Sequence, residues 1–183
     1  DAFTVAKGLS SPDMPSSGGM SPEPMYQGML DESRKIGTFG HGYTYSAHPV
    51  TAAVALKTLE IYERENIVAH VRNVSPTFQK RLHALADHPL VGETRGIALI
   101  GALEMVADKE TKRSFDPKKM VAPKCIAFAH EEGLIVRNLM NDGVAICPPL
   151  IITEDEINEL FDRLTRALDR TLAWVEKEGL RAA

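Results

Sequence analysis

This 183-residue sequence has few cysteines and aromatic residues, no long apolar run and no excess of basic residues. It has two cysteines and one tryptophan, and aromatic residues make up only 6% of it. No apolar run approaches the ~20 residues of a membrane-spanning helix, and no basic-then-apolar leader opens the chain. The 21 basic residues are outnumbered by 25 acidic ones, which argues against nucleic acid as a partner because phosphate binding needs a basic surface. We therefore expect no membrane and no nucleic-acid partner.

The two cysteines, Cys125 and Cys147, have no cysteine or histidine at metal-ligand spacing. We expect both to be buried free thiols in a reducing compartment, the cytoplasm. The six histidines form no pair at the helical spacing of metal ligands, so no metal site is predicted.

The first 40 residues are rich in turn formers, with dense Ser, Pro and Gly from Ser10 to Gly19 and prolines at positions 22 and 24. This composition predicts an irregular segment with few apolar anchors, which would struggle to become ordered by itself. The sequence begins with Asp1 rather than Met, so we expect a processed product, a piece of a longer chain or an expression product.

Residues 49–87 carry a helical pattern. Pro49 suits the first turn of a helix, and a later apolar stripe repeats at steps of three or four residues. The stripe consists of Ile67, Val71, Val74, Phe78, Leu82 and Leu85. Pro76 falls inside it and is expected to kink or restart the helix, which gives two or three helical pieces.

The second half reads as strand, helix, hairpin, helix. Residues 96–106 predict one strand bent at Gly101, and residues 120–132 a helix ending at Gly133. Residues 134–137 and 144–147 predict two strands joined by a turn with Asp142-Gly143. A capping box at residues 153–156 opens a C-terminal amphipathic helix. This order is typical of an α+β domain with helices on one face of an antiparallel sheet.

Lys7 is the first candidate for chemistry, because it follows a strand-like run and lies between Val5-Ala6 and Gly8-Leu9. An amine in apolar surroundings has a lowered pKa, since burial penalises the ammonium. The neutral amine can then attack a carbonyl to form a Schiff base. The alternative for this residue is an ordinary solvated surface lysine.

Residues 40–46 combine glycines with hydroxyl side chains just before the helix start at Pro49. A glycine-rich, hydroxyl-bearing approach to a helix N-terminus can hold a phosphate, although the segment is neither a dinucleotide fingerprint nor a P-loop. The alternative is a plain loop.

Arg137 follows the apolar run Leu134-Ile135-Val136. A guanidinium that emerges beside buried residues can clamp a carboxylate with two parallel hydrogen bonds. The alternative is a structural ion pair, and Arg95 is a similar but less distinctive candidate.

Taken together, these segments resemble class III (ω-type) aminotransferases, which are pyridoxal-phosphate enzymes of fold type I. The similarity is strongest to their ω-amino acid and amine:pyruvate branch. It lies in four segments that occur in the family's order: Ala6-Lys7-Gly8-Leu9, His41-Gly42-Tyr43-Thr44-Tyr45-Ser46-Ala47-His48-Pro49, Thr94-Arg95-Gly96 and Ile146-Cys147-Pro148-Pro149-Leu150-Ile151-Ile152-Thr153.

The resemblance assigns roles to four residues. It makes Lys7 the catalytic lysine that carries pyridoxal 5'-phosphate as a Schiff base. It places Thr44, with the Tyr43 backbone beside it, at the cofactor phosphate of the neighbouring subunit. It makes Arg137 a movable arginine that pairs with a substrate carboxylate and swings away for uncharged amines.

The resemblance also implies the fold and the partners. Residues 1–87 would end the large cofactor-binding domain, mostly helical here, and residues 88–183 would form the small C-terminal α+β domain. The expected reaction is transamination between an amine or ω-amino acid and a keto acid, with pyruvate as the expected acceptor. The expected partners are the N-terminal half of the same enzyme and a second subunit in a homodimer.

Two departures from the family pattern stand out. Ala47 and Ala98 occupy positions where the family usually has glycine, and Ser16–Met20 is Gly/Ser-rich where the family has an apolar strand. In the family about half of the chain precedes the lysine and supplies the rest of the cofactor site, and none of that half is present here. Two alternatives follow: a non-catalytic fragment that binds a partner, or a fold-type I enzyme of another reaction type.

Overall fold

The computed structural model describes residues 1–11 and 13–181. Its helices are α1 (Glu23–Ile36), α2 (Pro49–Arg64), α3 (Ile67–Ala84), α4 (Val121–Glu131) and α5 (Glu154–Lys177). Its strands are β1 (Phe3–Ala6), β2 (Ser17–Met20), β3 (Val91–Ile97), β4 (Ile100–Met105), β5 (Arg137–Leu139) and β6 (Gly143–Ile146). The chain divides into two compact units, Asp1–Asn66 and Ile67–Ala183.

The first unit consists of an antiparallel hairpin, β1–β2, and the helices α1 and α2. The prediction of an irregular segment over residues 1–40 is therefore wrong. The strand pairing uses backbone groups, so the Gly/Ser-rich run still forms β2, with Gly18 opposite Val5. Pro22 lies at the N-cap of α1 and Pro24 in its first turn, where a missing N–H costs nothing.

The apolar core lies in the second unit. The buried apolar side chains of the described residues all belong to residues 67–175, whereas Ser10 and Thr58 are the buried residues of the first unit. Phe78 of α3 meets Phe161 of α5 edge to face, with ring centroids 5.2 Å apart. The sequence-predicted stripe of α3 is confirmed: its members are buried except for half-buried Val71.

A four-stranded antiparallel sheet, in the order β3-β4-β6-β5, forms the other layer of the second unit. Leu103 of β4 and Val144 of β6 are opposite each other and fully buried, whereas their chain neighbours Ala102 and Ala145 are only half-buried. One face of the sheet is therefore the core face, as alternation along a strand requires. The predicted combination of helices with an antiparallel sheet is confirmed.

Pro76 does not restart α3, contrary to expectation. The helix continues from Ile67 to Ala84 with the proline inside it. Proline removes one backbone hydrogen bond, but buried Val74 and Phe78 anchor the helix on both sides of it. The packing of the stripe therefore outweighs the local loss.

The predicted single strand over residues 96–106 is wrong, because the chain turns there. β3 and β4 form a tight hairpin with Ala98 and Leu99 between Ile97 and Ile100. Ala98 has a left-handed φ of 50°, the conformation that two-residue hairpin loops require. Alanine gives no sequence signal for such a turn.

The predicted end of α4, the start of α5 and the hairpin between them are confirmed, but the strand predicted over residues 134–137 lies at Arg137–Leu139 instead. α4 stops at Glu131, and Gly133 follows with a φ of 74°. Thr153 and Glu156 form the reciprocal hydrogen bonds of a capping box at the start of α5. β5 and β6 form the expected hairpin, but Arg137 begins β5 rather than ending a strand over residues 134–136.

Candidate functional site

Lys7 lies directly after β1, in a short 3₁₀ turn that runs from Lys7 to Leu9. Its backbone has a φ of 54°, a left-handed conformation that is uncommon for a residue with a side chain. Its carbonyl accepts a hydrogen bond from the Ser10 amide at 3.2 Å. The Lys7 side chain is exposed, so this chain does not supply the apolar surroundings expected for it.

Serine hydroxyls support the loop that follows this turn. Ser10 is only 1% exposed, and its hydroxyl donates to the Met14 carbonyl at 2.6 Å. The Ser16 hydroxyl donates to Ser10 Oγ at 2.7 Å, immediately before β2 begins. These two bonds tie the start of the loop to its end.

A second support comes from α2. The Tyr62 hydroxyl donates to the Gly8 carbonyl at 3.0 Å, across 54 residues of sequence. The turn at Lys7 is thus held by its own hairpin and by a helix. Neither Ser10 nor Tyr62 is predicted from the sequence, because neither position carries a local signal for a tertiary hydrogen bond.

The hydroxyl-bearing segment forms a compact turn before α2. The Ser46 amide donates to the Tyr43 carbonyl at 2.9 Å, and the Tyr43 amide donates to Ser46 Oγ at 3.0 Å. Within the described residues, the Thr44 hydroxyl and the Thr44 and Tyr45 amides donate to no acceptor. Tyr43, Thr44 and Tyr45 are exposed, so these donors are available to an oxyanion.

Aromatic rings line the same segment. Phe39 and His41 have ring centroids 5.8 Å apart, and His41 meets Tyr43 edge to face at 5.6 Å. Tyr43 and Tyr45 are 78% and 79% exposed, so their rings lie on the surface of this segment. The turn at Thr44 is therefore flanked by exposed aromatic side chains.

Arg137 and Arg95 differ in how their guanidinium groups are used. Arg95 lies beside Glu104 at 2.6 Å and Glu93 at 3.4 Å. Arg137 is exposed and forms no ion pair with any residue that the structure describes. The structural ion pair considered for Arg137 is therefore absent among these residues, and its charge is available to a ligand.

The two cysteines have different environments. Cys125 on α4 is fully buried, as predicted, and burial raises the pKa of its thiol to about 11, with an opposing hydrogen bond to Thr171. Cys147 is exposed, so the prediction that it is buried is wrong. Cys147 directly follows β6 and comes one residue after buried Ile146, so alternation along the chain places it on the outer side, as for Ala145.

The donors present suit pyridoxal phosphate. The cofactor carries an aldehyde for an amine and a phosphate for hydroxyl and amide donors. Lys7 supplies an exposed amine, and the turn at Thr44 supplies unpaired N–H and O–H groups. Within the described residues, no group of three or more His, Cys, Asp or Glu side chains could hold a metal ion. No described helix is long and apolar enough to cross a bilayer.

The family described as "Aminotransferase class-III" matches residues 1–168. The chain is 38% identical over 181 residues to an uncharacterised aminotransferase of Sinorhizobium fredii, covering 98% of this chain and 39% of that protein. It is 40% identical over 176 residues to a putrescine–pyruvate aminotransferase of Pseudomonas aeruginosa, covering 96% of this chain and 37% of that protein.

Solved structures of transaminases are also similar to this chain. An omega-transferase from Vibrio fluvialis JS17 superposes with a TM-score of 0.90 at 36% identity, covering 96% of this chain and 41% of that one. A thermostable omega transaminase 6-fold mutant from Pseudomonas jessenii has a TM-score of 0.87 at 39% identity, covering 96% of this chain and 39% of that one. The chain thus spans well under half the length of these relatives.

Proposed function

The chain belongs to the class-III aminotransferase family, and on that premise we propose that it contributes the C-terminal part of a pyridoxal-phosphate-dependent transaminase. The reaction exchanges an amino group between an amine or ω-amino acid and a keto acid, for which we propose pyruvate. The putrescine–pyruvate relative supports this choice of acceptor. The complete enzyme needs the N-terminal half and a second subunit.

The observation that carries this proposal is the presentation of Lys7. An exposed amine lies at the end of a strand, in a left-handed turn with supports from two directions. A backbone held in a sparsely populated conformation is a common feature of functional sites. The match of the class-III family to residues 1–168, which include this turn, supports the role proposed for Lys7.

The bound cofactor would supply an electron sink for the donor carbon. The Lys7 amine would hold the cofactor aldehyde and, when free, would carry a proton to and from that carbon. The Thr44 hydroxyl and the Thr44 amide, next to Tyr43, would hold the phosphate of the neighbouring subunit's cofactor, because the Tyr43 amide already donates to Ser46. Arg137 holds the carboxylate of the keto acid, because its guanidinium has no carboxylate partner in the described chain.

Exposed apolar side chains support the need for further polypeptide. The first unit exposes many large apolar side chains, and extensive exposed apolar surface is a feature of protein–protein interfaces. They are Phe3, Met20, Met25, Tyr26, Ile36, Phe39, Tyr43, Tyr45, Val50, Leu56 and Leu59. We propose that the N-terminal half and the second subunit of a homodimer cover them.

The proposal also includes a domain boundary and a cellular compartment. The proposed boundary lies near residue 87, and residues 88–183 form the small domain. α3, which precedes this boundary and packs in the core of the unit Ile67–Ala183, would be an interdomain helix. The complete enzyme works in the cytoplasm, where the exposed thiol of Cys147 stays reduced.

The test is to co-express the chain with the N-terminal half of a class-III relative and add pyridoxal phosphate. Borohydride reduction followed by peptide mass analysis should find the cofactor on the peptide that contains Lys7. Lys7→Arg should abolish both this adduct and amine-dependent conversion of pyruvate to alanine. Lys35→Arg, an exposed lysine paired with Glu32, is the control and should change neither.

Three results would contradict the proposal. An adduct on another lysine with Lys7 unlabelled would remove the assigned role of Lys7. A folded, complemented protein without any adduct would favour the non-catalytic alternative, and an adduct with products other than alanine would indicate another reaction type.

A further inference from the structure

We propose that Tyr62 is a positioning residue for Lys7, and that its hydroxyl holds the turn that presents the lysine amine. The inference rests on the proposed function, because it assigns a purpose to the geometry around Lys7. Tyr62 does not touch the amine in this structure; its hydroxyl bonds the carbonyl of Gly8, the next residue.

The turn needs a restraint. Lys7 carries a side chain yet has a φ of 54°, and such a residue relaxes towards negative φ unless its surroundings hold it. Relaxation would swing the Cα–Cβ bond and move the amine at the end of a long flexible side chain. A lysine that must meet a cofactor aldehyde gains rate when that freedom is removed.

The turn's own hydrogen bond, from the Ser10 amide to the Lys7 carbonyl, joins its two ends but does not involve the Gly8 carbonyl. The hairpin restrains the flanks of the turn. β1 and β2 end at the pair Ala6–Ser17, directly before Lys7. The buried Ser10 hydroxyl binds Met14 and Ser16, which fixes the loop beyond the turn. Neither contact reaches the carbonyl of Gly8.

Tyr62 supplies the contact that the hairpin lacks. It lies near the C-terminal end of α2, is half-buried, and donates to the Gly8 carbonyl at 3.0 Å. A Cβ built on Gly8 would lie 3.5 Å from the Tyr62 oxygen, so the phenol lies directly against the turn. A helix 54 residues away in sequence therefore fixes the backbone beside Lys7.

The variant Tyr62→Phe keeps the ring and removes only the donor. The exposed Gly8 carbonyl can then bond to water, so the fold is kept while the turn is freed. The maximal rate at which pyridoxal phosphate attaches to Lys7 should fall roughly two- to tenfold, the range expected for one neutral hydrogen bond. The cofactor concentration for half-maximal rate should not change, because other groups hold the phosphate.

The experiment uses the protein complemented with its N-terminal half. The amine and the aldehyde condense with loss of one water, and hydride from borohydride reduces the resulting C=N bond to a stable C–N bond. Peptide mass analysis at timed intervals gives the attachment rate, and circular dichroism gives the folded fraction to which the rate is normalised. In turnover, kcat should fall with little change in KM for the keto acid.

Thr58→Val is the matched control, since it removes another hydroxyl donor from α2, one that bonds the Val54 carbonyl of the same helix. It should leave the attachment rate unchanged. If Tyr62→Phe lowers only the thermal midpoint, with the rate per folded molecule unchanged, Tyr62 is merely structural and the inference is overturned. If the parent protein attaches no cofactor at Lys7, the proposed function fails and this inference with it.

Discussion

At the scale of single residues, two alanines adopt a backbone conformation that suits glycine. Ala47 and Ala98 have φ values of 57° and 50°, and both occupy positions where the family pattern has glycine. A side chain in this region costs about 1–2 kcal/mol. Replacing glycine with alanine changes the composition little, but at Ala47 and Ala98 it introduces backbone strain.

Ala98→Gly should stabilise the second unit. The substitution relieves the strain at the β3–β4 turn, but glycine loses more entropy on folding, so we expect a net gain of about 0.5–1 kcal/mol in the free energy of unfolding. Urea denaturation followed by circular dichroism measures it. Ala102→Gly in the middle of β4 is the control and should destabilise by a similar amount, and a loss of stability in Ala98→Gly would contradict the account.

The buried thiol of Cys125 should make stability fall at alkaline pH. Burial raises the pKa of Cys125 from 9.0 to about 11 in the folded state. Between these values the unfolded chain loses the thiol proton and the folded chain keeps it, so stability decreases as pH rises from 9 to 11. The contribution is about 2–3 kcal/mol.

The measurement is urea unfolding at several pH values for the parent chain, Cys125→Ala and Cys147→Ser. Lysine and tyrosine side chains also titrate in this range, so the difference between proteins is the quantity to compare. Cys125→Ala should lower stability at pH 8 but flatten the decline above pH 9. Cys147→Ser, which alters an exposed thiol, should leave the slope as it is; equal slopes in all three proteins would refute the prediction.

At the scale of elements, two glycines let α3 approach the β3–β4 hairpin. Gly96 and Gly101 are opposite each other in the hairpin. A Cβ on Gly101 would lie 2.9 Å from Leu82 Cδ2 and 3.1 Å from Phe78 Cε1. These distances are shorter than a normal carbon–carbon contact. The backbone of Gly101 therefore packs directly against the side chains of Leu82 and Phe78 on α3.

Gly101→Ala should therefore destabilise the second unit by about 1–3 kcal/mol through overpacking. Thermal or urea unfolding measures the change. In a Leu82→Ala background the added methyl group has room, so its cost should be smaller by about 1 kcal/mol. Equal costs in the two backgrounds would show that Leu82 is not the obstacle.

The capping box at the start of α5 gives an element-scale prediction of its own. The Glu156 amide donates to Thr153 Oγ, and the Glu156 carboxylate accepts from the Thr153 amide at 2.8 Å. Thr153→Ala should lower the free energy of unfolding by about 1 kcal/mol. Thr153→Ser keeps the acceptor and should stay close to the parent, and an equal loss in both variants would point to packing instead.

The sequence predicts elements well where the signal is local. The stripe of α3, the stop at Gly133 and the capping box all depend on residues a few positions apart. The β3–β4 turn was missed because Ala98 and Leu99 are not turn formers, and β2 was missed because backbone pairing with β1 overrides its Gly/Ser composition. For the site, the motifs named Lys7, Thr44 and Arg137, but Tyr62 acts over 54 residues, a distance at which a single sequence carries no pairing signal.

At the scale of the whole molecule, the two units should differ in stability. The second unit contains the buried apolar core, whereas the first buries only Ser10 and Thr58 among the described residues. Buried apolar area is the main source of folding stability, so the first unit should open far more often than the second when the chain is isolated.

Limited trypsin digestion of the isolated chain should therefore cut within residues 1–66 first and leave a fragment that begins near residue 67. Arg64 and Arg166 are an informative pair, because their side chains are 54% and 50% exposed and both lie on helices. Because the two side chains are similarly exposed, faster cleavage at Arg64 than at Arg166 would reflect local unfolding of the first unit rather than accessibility of the arginine. Addition of the N-terminal half should slow cleavage at Arg64 and leave Arg166 unchanged, because that half is proposed to cover the first unit. Equal cleavage at both arginines in the isolated chain, or no protection of Arg64 on complementation, would contradict the proposal that the first unit is completed by further polypeptide.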